Sequence, residues 1–566
     1  MLNRILLIIF CVTIVFKADL YSQSVQAFNH LQMQAEVQKV IDKVYPATVK
    51  IVNYDSTRKV VRGGQFSGVV VSQDGYILTA AHASTPGDVY LAIFPDGKEF
   101  VAVGLGRITT VDAAVIKITQ PGIWPWAEMG WSSSLKSFQP CVSISGPASL
   151  NRKREPVVRF GYVAQNEERY GYIRTTCLME PGDSGGPVFD LKGRVIGIHS
   201  RIDAGVEGNY EVAVDNFRKY WDALIVPESY NKNNLPDEGP IGVDPVKDEF
   251  ASIVELGDLS SYFSKTEARL DNSVFEVKSI VDGDSSVILG TLVSSAGFKT
   301  EKNKNGGSFL ISKSSMVGDE PIIILDNSRG VSAAVISRDE KLDLVLLKVN
   351  SKLKGGLDLF KRVNDSVDFS QVGRFLLSPH PKGEGEVSVV GSTLFGLAAS
   401  PISGYLGATS WIYDSTVVLR EVIPGTAASS ANLQEGDTVL SINDQPIKTV
   451  SQFNSVLNRH KPKETIQIRV LRDNREHIID VVLGKRPPVK THAADYFEEG
   501  KSERRDGFQN IFMHDGNLRP SECGGPVFDV FGNLTGINIA RFSRTSSIAI
   551  PVKAVRQFVE ESLKGK

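Results

Sequence analysis

Three short stretches of this 566-residue chain hold residue types that together support acyl transfer through a serine nucleophile. A histidine closes the apolar run Tyr76-Ile-Leu-Thr-Ala-Ala-His82, Asp112 opens a second apolar run, and Ser184 sits inside Gly-Asp-Ser-Gly-Gly-Pro. A serine hydroxyl is a poor nucleophile until a neighbouring base takes its proton. An imidazole, with an unperturbed pKa near ~6.5, accepts that proton and returns it at neutral pH. An aspartate beside the ring fixes its tautomer and stabilises the imidazolium that forms. The glycines serve a separate end. They let the backbone N–H groups of Gly182 and Ser184 turn toward one point, where each donor to a developing oxyanion is worth roughly 3–4 kcal/mol. Singly these residues are ordinary, since a lone aspartate before a strand is often a turn former. Together, in this order and with these flanks, they predict a triad of His82, Asp112 and Ser184, with oxyanion donors at Gly182 and Ser184.

The elements that must hold these residues occur twice. Glu180-Pro-Gly-Asp-Ser-Gly-Gly-Pro-Val-Phe-Asp190 is answered by Arg519-Pro-Ser-Glu-Cys-Gly-Gly-Pro-Val-Phe-Asp529. Ser67-Gly-Val-Val-Val-Ser-Gln-Asp-Gly75 is answered by Leu289-Gly-Thr-Leu-Val-Ser-Ser-Ala-Gly297, and Asp112-Ala-Ala-Val-Ile-Lys-Ile118 by Asp343-Leu-Val-Leu-Leu-Lys-Val349. Each copy is expected to end on an amphipathic helix, around Asn216–Leu224 and Val552–Leu563. The first copy spans residues 25–226 and opens on a helix over Gln26–Val44. Residues 227–248, polar with scattered Pro and Gly, read as a linker. The second copy occupies 249–396 and 488–566. Cys523 follows Asp343 by 180 residues, whereas Ser184 follows Asp112 by 72, so a further domain is inserted at 397–487. That insert carries Gly404-Tyr-Leu-Gly-Ala408, then Leu433-Gln-Glu-Gly-Asp-Thr-Val-Leu-Ser-Ile-Asn443, a helix over Ser451–His460 and strands over Thr465–Leu471 and Glu476–Leu483. It resembles a PDZ domain. The resemblance implies that an extended peptide adds as a strand, its terminal carboxylate held by the loop Tyr405, Leu406, Gly407 and Ala408. A groove closed, or used only within the molecule, is the alternative.

Aligning Leu310-Ile-Ser-Lys-Ser-Ser315 on Ile77-Leu-Thr-Ala-Ala-His82 puts Ser315 where the base should be. Asp343 is retained, but Cys523 replaces the nucleophile, so the second site reads as degenerate. His514 lies nine residues from Cys523 and could lower a thiol pKa, but it stands outside the histidine motif.

The order His, Asp, Ser is that of chymotrypsin-like barrels and differs from subtilisins and α/β-hydrolases. With its flanks, the first copy resembles the trypsin-like fold of the HtrA/DegP group, in which a protease domain is joined to PDZ domains. That resemblance implies a mostly β chain: two chymotrypsin-like double β-barrel units, with one PDZ domain inserted in the second. It implies a serine endopeptidase acting on unfolded or extended exported proteins, with peptide C-termini at the PDZ domain. A non-catalytic, chaperone-like peptide-binding scaffold is the rival. Two departures stand out. Asp183 precedes the serine where the group typically places Asn, and the PDZ domain interrupts a second protease-like copy. For specificity, Met179 floors the expected pocket and argues for small or medium apolar side chains. Val195-Ile-Gly-Ile-His199 resembles the segment of glutamyl endopeptidases whose histidine binds an acidic side chain, although those enzymes supply a hydroxyl where Met179 stands.

Sixty-three basic against 65 acidic side chains, with no dense Lys/Arg run, argue against a nucleic-acid partner. Residues 1–24, with one positive charge before an apolar run from Ile5 to Phe16, read as a signal peptide and hence export to the periplasm or beyond. An uncleaved membrane tether is the alternative. Cys141, Cys177 and Cys523 would remain, and Cys141 and Cys177 either pair or sit as small buried residues. No metal or organic cofactor is expected. Assembly into a homo-oligomer stays open.

Overall fold

The computed structural model describes residues 29–150, 155–169, 171–246, 256, 259–294, 308–325, 329–359, 366–381, 385–400, 403–487 and 490–564. The expected signal segment, with Cys11, lies outside the described residues. The chain divides into two compact units, one formed by residues up to Leu397 together with His492–Lys566, the other by Ala398–Thr491.

The helix His30–Val44 begins where Asn29 caps it, the side-chain oxygen accepting from the amides of Leu31 and Gln32 at 3.1 and 3.2 Å. A short polar side chain there satisfies amides that the first helical turn leaves without partners. Met33, Val37, Val40, Ile41 and Val44 recur at helical spacing and form one buried stripe.

The first copy follows as two barrels. Six antiparallel strands, Thr48–Asp55, Val60–Val70, Tyr76–Ala80, Val89–Ile93, Glu99–Ile108 and Ala113–Ile118, close through pairing of the last two. Glu99–Ile108 shows the required alternation, with Ala102, Gly104, Gly106 and Ile108 turned inward. Phe94, Phe100 and Trp124 pack together at one end. The second barrel closes in the order Pro187–Phe189, Val195–Ile202, Asn209–Ala213, Tyr172–Thr175, Val157–Arg169, Pro140–Ser145. The expected helix over Asn216–Leu224 forms as two short pieces, Val214–Lys219 and Trp221–Leu224.

The second copy repeats this plan. Val274–Val281, Asp284–Val293, Ser308–Lys313, Ile322–Ile324, Gly330–Asp339 and Leu344–Val349 form a closed barrel. The last six strands form a sheet in the order Glu386–Val389, Phe375–Ser378, Pro526–Asp529, Leu534–Arg541, Ser547–Pro551, Phe512–His514. Among the described residues its outer strands form no continuous ladder and their segments meet at the isolated bridges Val390–His514 and Phe395–Ile511, so this barrel is closed less fully than the other three. The chain is mostly β, as expected. Residues between Glu386–Val389 and Phe512–His514 leave the barrel at the point where the first copy makes a hairpin around Gly171. A hairpin connection on a barrel rim tolerates insertion because no buried backbone is displaced.

Both copies share one core. Phe160 meets Phe375 edge-on at 5.1 Å, and both belong to a buried cluster running from Met33 to Leu563. At the same contact Asp515 accepts the amide of Phe160 at 2.8 Å and that of Val389 at 2.7 Å, and burial pushes its carboxyl up to about 6.

The inserted unit is a six-stranded antiparallel sheet in the order Ala408–Tyr413, Thr416–Val422, Thr438–Ile442, Thr465–Arg472, Arg475–Val482, with the short strand Gln445–Pro446 pairing Thr438–Ile442 beside this path. Helix Val450–Leu457, capped by Thr449, buries Phe453, Val456 and Leu457 against it.

Candidate active site

The first barrel supplies His82 just beyond the strand Tyr76–Ala80, and Asp112 just before Ala113–Ile118. These strands are neighbours in register, Ala80 opposite Ala113, so the two side chains emerge side by side. Asp112 Oδ1 accepts the His82 backbone amide at 2.8 Å, and Oδ2 lies 2.8 Å from His82 Nδ1. Asp112 adopts φ +57°, a left-handed conformation that aspartate tolerates better than most residues. Ser200 Oγ also donates to Asp112 Oδ2. The hydrogen bond to Asp112 raises the His82 pKa above its usual value, against the opposing effect of burial. With Nδ1 so engaged, Nε2 is the nitrogen left to exchange a proton.

Ser184 comes from the second barrel and lines the same 510 Å³ cleft as His82, Gly182 and Met179. Among the described residues, Ser184 Oγ makes no hydrogen bond to His82. Resting geometry of this kind is common where the bond tightens only around substrate. The Pro181 carbonyl accepts the Ala148 amide at 2.8 Å. A trans peptide is planar, so the Gly182 N–H points the opposite way, away from Ala148. Among the described residues neither the Gly182 nor the Ser184 N–H has an acceptor. Gly182 holds φ +99°, and a Cβ there would lie 2.2 Å from Ala148 N. Gly182→Ala is therefore expected to swing this loop and lower kcat on the order of 10²-fold, as loss of one oxyanion donor does. Steady-state peptide hydrolysis checks it.

The departure at Asp183 has a structural reason. Its carboxylate is fully buried, pairs with the Arg159 guanidinium at 3.0 Å, and accepts from Ser145 Oγ at 2.8 Å and the Glu180 amide at 2.9 Å. Met179 is buried at the cleft wall. His199 is not a lining residue. It lies wholly buried behind the wall, 2.6 Å from Ser143 Oγ and 3.3 Å from Glu211 Oε1, and burial pushes it down to about 3. The acidic-pocket alternative loses the histidine it needs. Cys141 and Cys177 form no disulfide; their thiols meet at 3.8 Å in a buried cluster with Val163, Ile173 and Val188, as small buried residues.

The second copy preserves the frame with other side chains in it. Ser315 donates its amide to Asp343 Oδ1 at 2.7 Å and its hydroxyl to Oδ2 at 2.8 Å, the same two bonds His82 makes with Asp112. Asp343 has φ +56°, and Gly524 matches Gly185 at +86° and +85°. Cys523 is completely buried, and burial raises its thiol pKa above the usual value. The segment after the insert lies across it. Ser502 donates its amide to the Arg541 carbonyl at 2.9 Å and its Oγ sits 3.8 Å from Cys523 Sγ, while Lys313 donates to the Arg504 carbonyl at 2.7 Å. His514 does not reach the thiol. It bonds Asn538 Oδ1 at 2.9 Å and Ser388 Oγ at 3.2 Å. Sequence gave no sign of the Ser502 cover or of Ser200, because both depend on contacts made across the fold.

In the inserted unit Tyr405 does not offer its amide, which donates to the Gly484 carbonyl at 2.8 Å. Leu406 turns its side chain into the core, and Gly407 at φ +77° passes so close to Thr426 that a Cβ would lie 2.1 Å away. Among the described residues the amides of Leu406 and Gly407 have no acceptor. The neighbouring strand Ala408–Tyr413 is an edge strand with Trp411 and Tyr413 exposed and stacked at 5.7 Å.

Residues 66–198 match the family described as "Trypsin-like peptidase domain", and residues 404–483 the family described as "PDZ domain". A protein of Pseudomonas savastanoi pv. phaseolicola, "Probable periplasmic serine endoprotease DegP-like", is 26% identical over 431 residues, covering 74% of this chain and 78% of that one. A protein of Marinomonas sp. with the same description is 25% identical over 410 residues, covering 72% and 76%. The solved "serine endoprotease from Yersinia pestis" overlays at TM-score 0.30 and 14% identity, covering 80% of this chain and 98% of that one, too loosely to align elements. Fold, domain content and relatives define a serine endopeptidase of trypsin-like fold carrying a PDZ domain. The chain is homologous to the DegP/HtrA serine endoproteases. Among the described residues no helix is long and apolar enough to cross a membrane.

Proposed function

We propose that the first copy cleaves peptide bonds of exported, unfolded proteins through an acyl-enzyme on Ser184. His82 Nε2 takes the Ser184 proton as Oγ attacks the scissile carbonyl. The Gly182 and Ser184 amides hold the oxyanion of the tetrahedral intermediate. His82 then gives its proton to the leaving amine, and a water molecule deacylates the serine by the reverse path. Asp112 holds the imidazole and stabilises its charged form, with Ser200 steadying the carboxylate. Met179 at the cleft wall favours small or medium apolar side chains. The edge strand Ala408–Tyr413 and the Leu406 and Gly407 amides bind a peptide end, recruiting substrate or gating cleavage.

The observation that carries this reading is the pair of 2.8 Å bonds from His82 to Asp112 in the cleft that Ser184 also lines. A serine-directed phosphonate tests it. Labelling one site per chain, on the peptide containing Ser184 and not on Cys523, is expected. Absence of labelling with and without C-terminal peptides would leave a peptide-binding scaffold, the reading favoured by the missing Ser184–His82 hydrogen bond.

The pH dependence has a definite sign. Only neutral His82 accepts the serine proton, and its raised pKa means that it stays charged to a higher pH than a free imidazole. The kcat/KM for peptide cleavage should therefore fall on acidification along a limb centred above ~6.5. Asp112→Asn should move that limb downward. A pH–rate profile with its acid limb at or below the free imidazole value would contradict this.

A further inference from the structure

The second copy reaches into the wall of the first copy's cleft. Its hairpin turn between Leu534–Arg541 and Ser547–Pro551 carries Ser543-Arg544-Thr545, and each of the three meets the region before Ser184. Thr545 Oγ1 accepts from Arg159 Nη2 at 3.2 Å, and Arg159 in turn holds Asp183. Ser543 lies near enough to the Glu180 carboxyl to favour its charged form. Arg544 makes the most extensive contact. Nη1 donates to the Met179 carbonyl at 2.8 Å and to Asn209 Oδ1 at 2.7 Å, and Nε and Nη2 donate to the Gly205 carbonyl at 3.0 and 2.7 Å.

This guanidinium is completely buried. Its four bonds all go to neutral oxygens and to no carboxylate. A buried cation held this way is costly to desolvate, so its placement is a poor source of stability compared with an apolar side chain. What the planar fork does supply is geometry, because its donors fix several acceptors at once. The acceptors belong to two separate segments of the first copy. Met179 is part of the cleft wall that continues to Gly182. Gly205 lies in the turn that follows Ser200, Arg201 and Ile202, which also line the cleft, and Asn209 opens the next strand. Asn209 also accepts the Met179 amide at 3.3 Å, so the same side chain is drawn from both sides.

We propose that Arg544 is a positioning residue that sets the width of the first copy's specificity pocket from outside it, so that substrate selection by one copy is built into the other. The inference rests on the reading of Ser184 as nucleophile and Met179 as pocket wall. Loss of the guanidinium frees the Met179 carbonyl and the Gly205–Asn209 turn to move apart. Discrimination among side chains on the acyl side of the scissile bond then weakens, while the triad keeps its geometry.

The test compares full-length protein with Arg544→Ala and Arg544→Lys on a peptide series that differs only in that side chain, from alanine through valine and leucine to phenylalanine. Labelling of Ser184 by a small phosphonate lacking the side chain serves as the reference. For Arg544→Ala the ratio of kcat/KM between best and worst substrates should fall at least tenfold, chiefly through KM, with labelling changed less than threefold and the acid limb of the pH profile unmoved. Added ethylguanidinium should restore part of the ratio. Arg544→Lys, whose single nitrogen cannot span both segments, should lie between, and it decides the matter if Arg544→Ala does not fold. An unchanged ratio in either folded variant overturns the proposal, as does labelling that falls in parallel with peptide cleavage. Wild-type protein that neither labels nor cuts would instead remove the Ser184 reading on which the proposal stands.

Discussion

Ser184→Ala should lower kcat/KM for peptide hydrolysis by about 10⁴-fold or more, and Cys523→Ala should leave it unchanged. The size of the first effect follows from losing the covalent route altogether, with only the oxyanion donors and substrate binding left to act. The absence of the second follows from burial. Cys523 has no exposed surface, its thiol pKa is raised by burial, and Ser502 sits 3.8 Å from the sulfur. Restoring a histidine by Ser315→His should not wake the second copy, because the chain around Ser502 occupies the approach to Cys523. Wild-type protein and the three variants, assayed on casein and on short peptides, check this together. Activity retained in Ser184→Ala and lost in Cys523→Ala would reverse the roles of the two copies.

Arg159→Met should destabilise the protease unit by about 3–5 kcal/mol, because it leaves the Asp183 carboxylate buried without its cation. Both side chains are wholly enclosed, with Arg159 Nη1 3.0 Å from Asp183 Oδ2 and Nη2 3.4 Å from Oδ1. Asp183 also accepts from Ser145 Oγ and the Glu180 amide, so it shapes the turn that carries Gly182 and Ser184. Adding Asp183→Asn to Arg159→Met should recover most of the loss. The amide oxygen keeps an acceptor for the Glu180 N–H, and the buried charge is gone. Calorimetric unfolding of the two single variants and the double variant measures the coupling. Additive losses would show that Arg159 acts through packing at the contact with Thr545 rather than through Asp183.

The candidate catalytic side chains are legible in the sequence because each is tied to a local backbone requirement. Gly182 and Gly185 take positive φ, and His82 and Asp112 flank strands that read as short, nearly continuous apolar runs. The repeat was readable for the same reason. Asp343 and Gly524 keep the backbone conformations of Asp112 and Gly185 although other side chains stand beside them. The inserted unit showed through its Leu-x-x-Gly-Asp segment and paired strands, which are likewise short-range features.

What local pattern does not encode is which side chains meet across distant segments. His199 looked like a pocket residue in its strand, but the strand turns it toward Ser143 and Glu211, behind the wall. Tyr405 stands in the loop whose amides would hold a carboxylate, but its own amide closes onto the Gly484 carbonyl. The cover over Cys523, the Ser200 bond to Asp112 and the grip of Arg544 on Met179 join residues from 21 to 365 positions apart. Backbone conformation is chosen within a few residues, so sequence fixes it locally. Burial and long-range hydrogen bonding are chosen only when the barrels pack, and it is that packing which makes one copy an open cleft and the other a closed support.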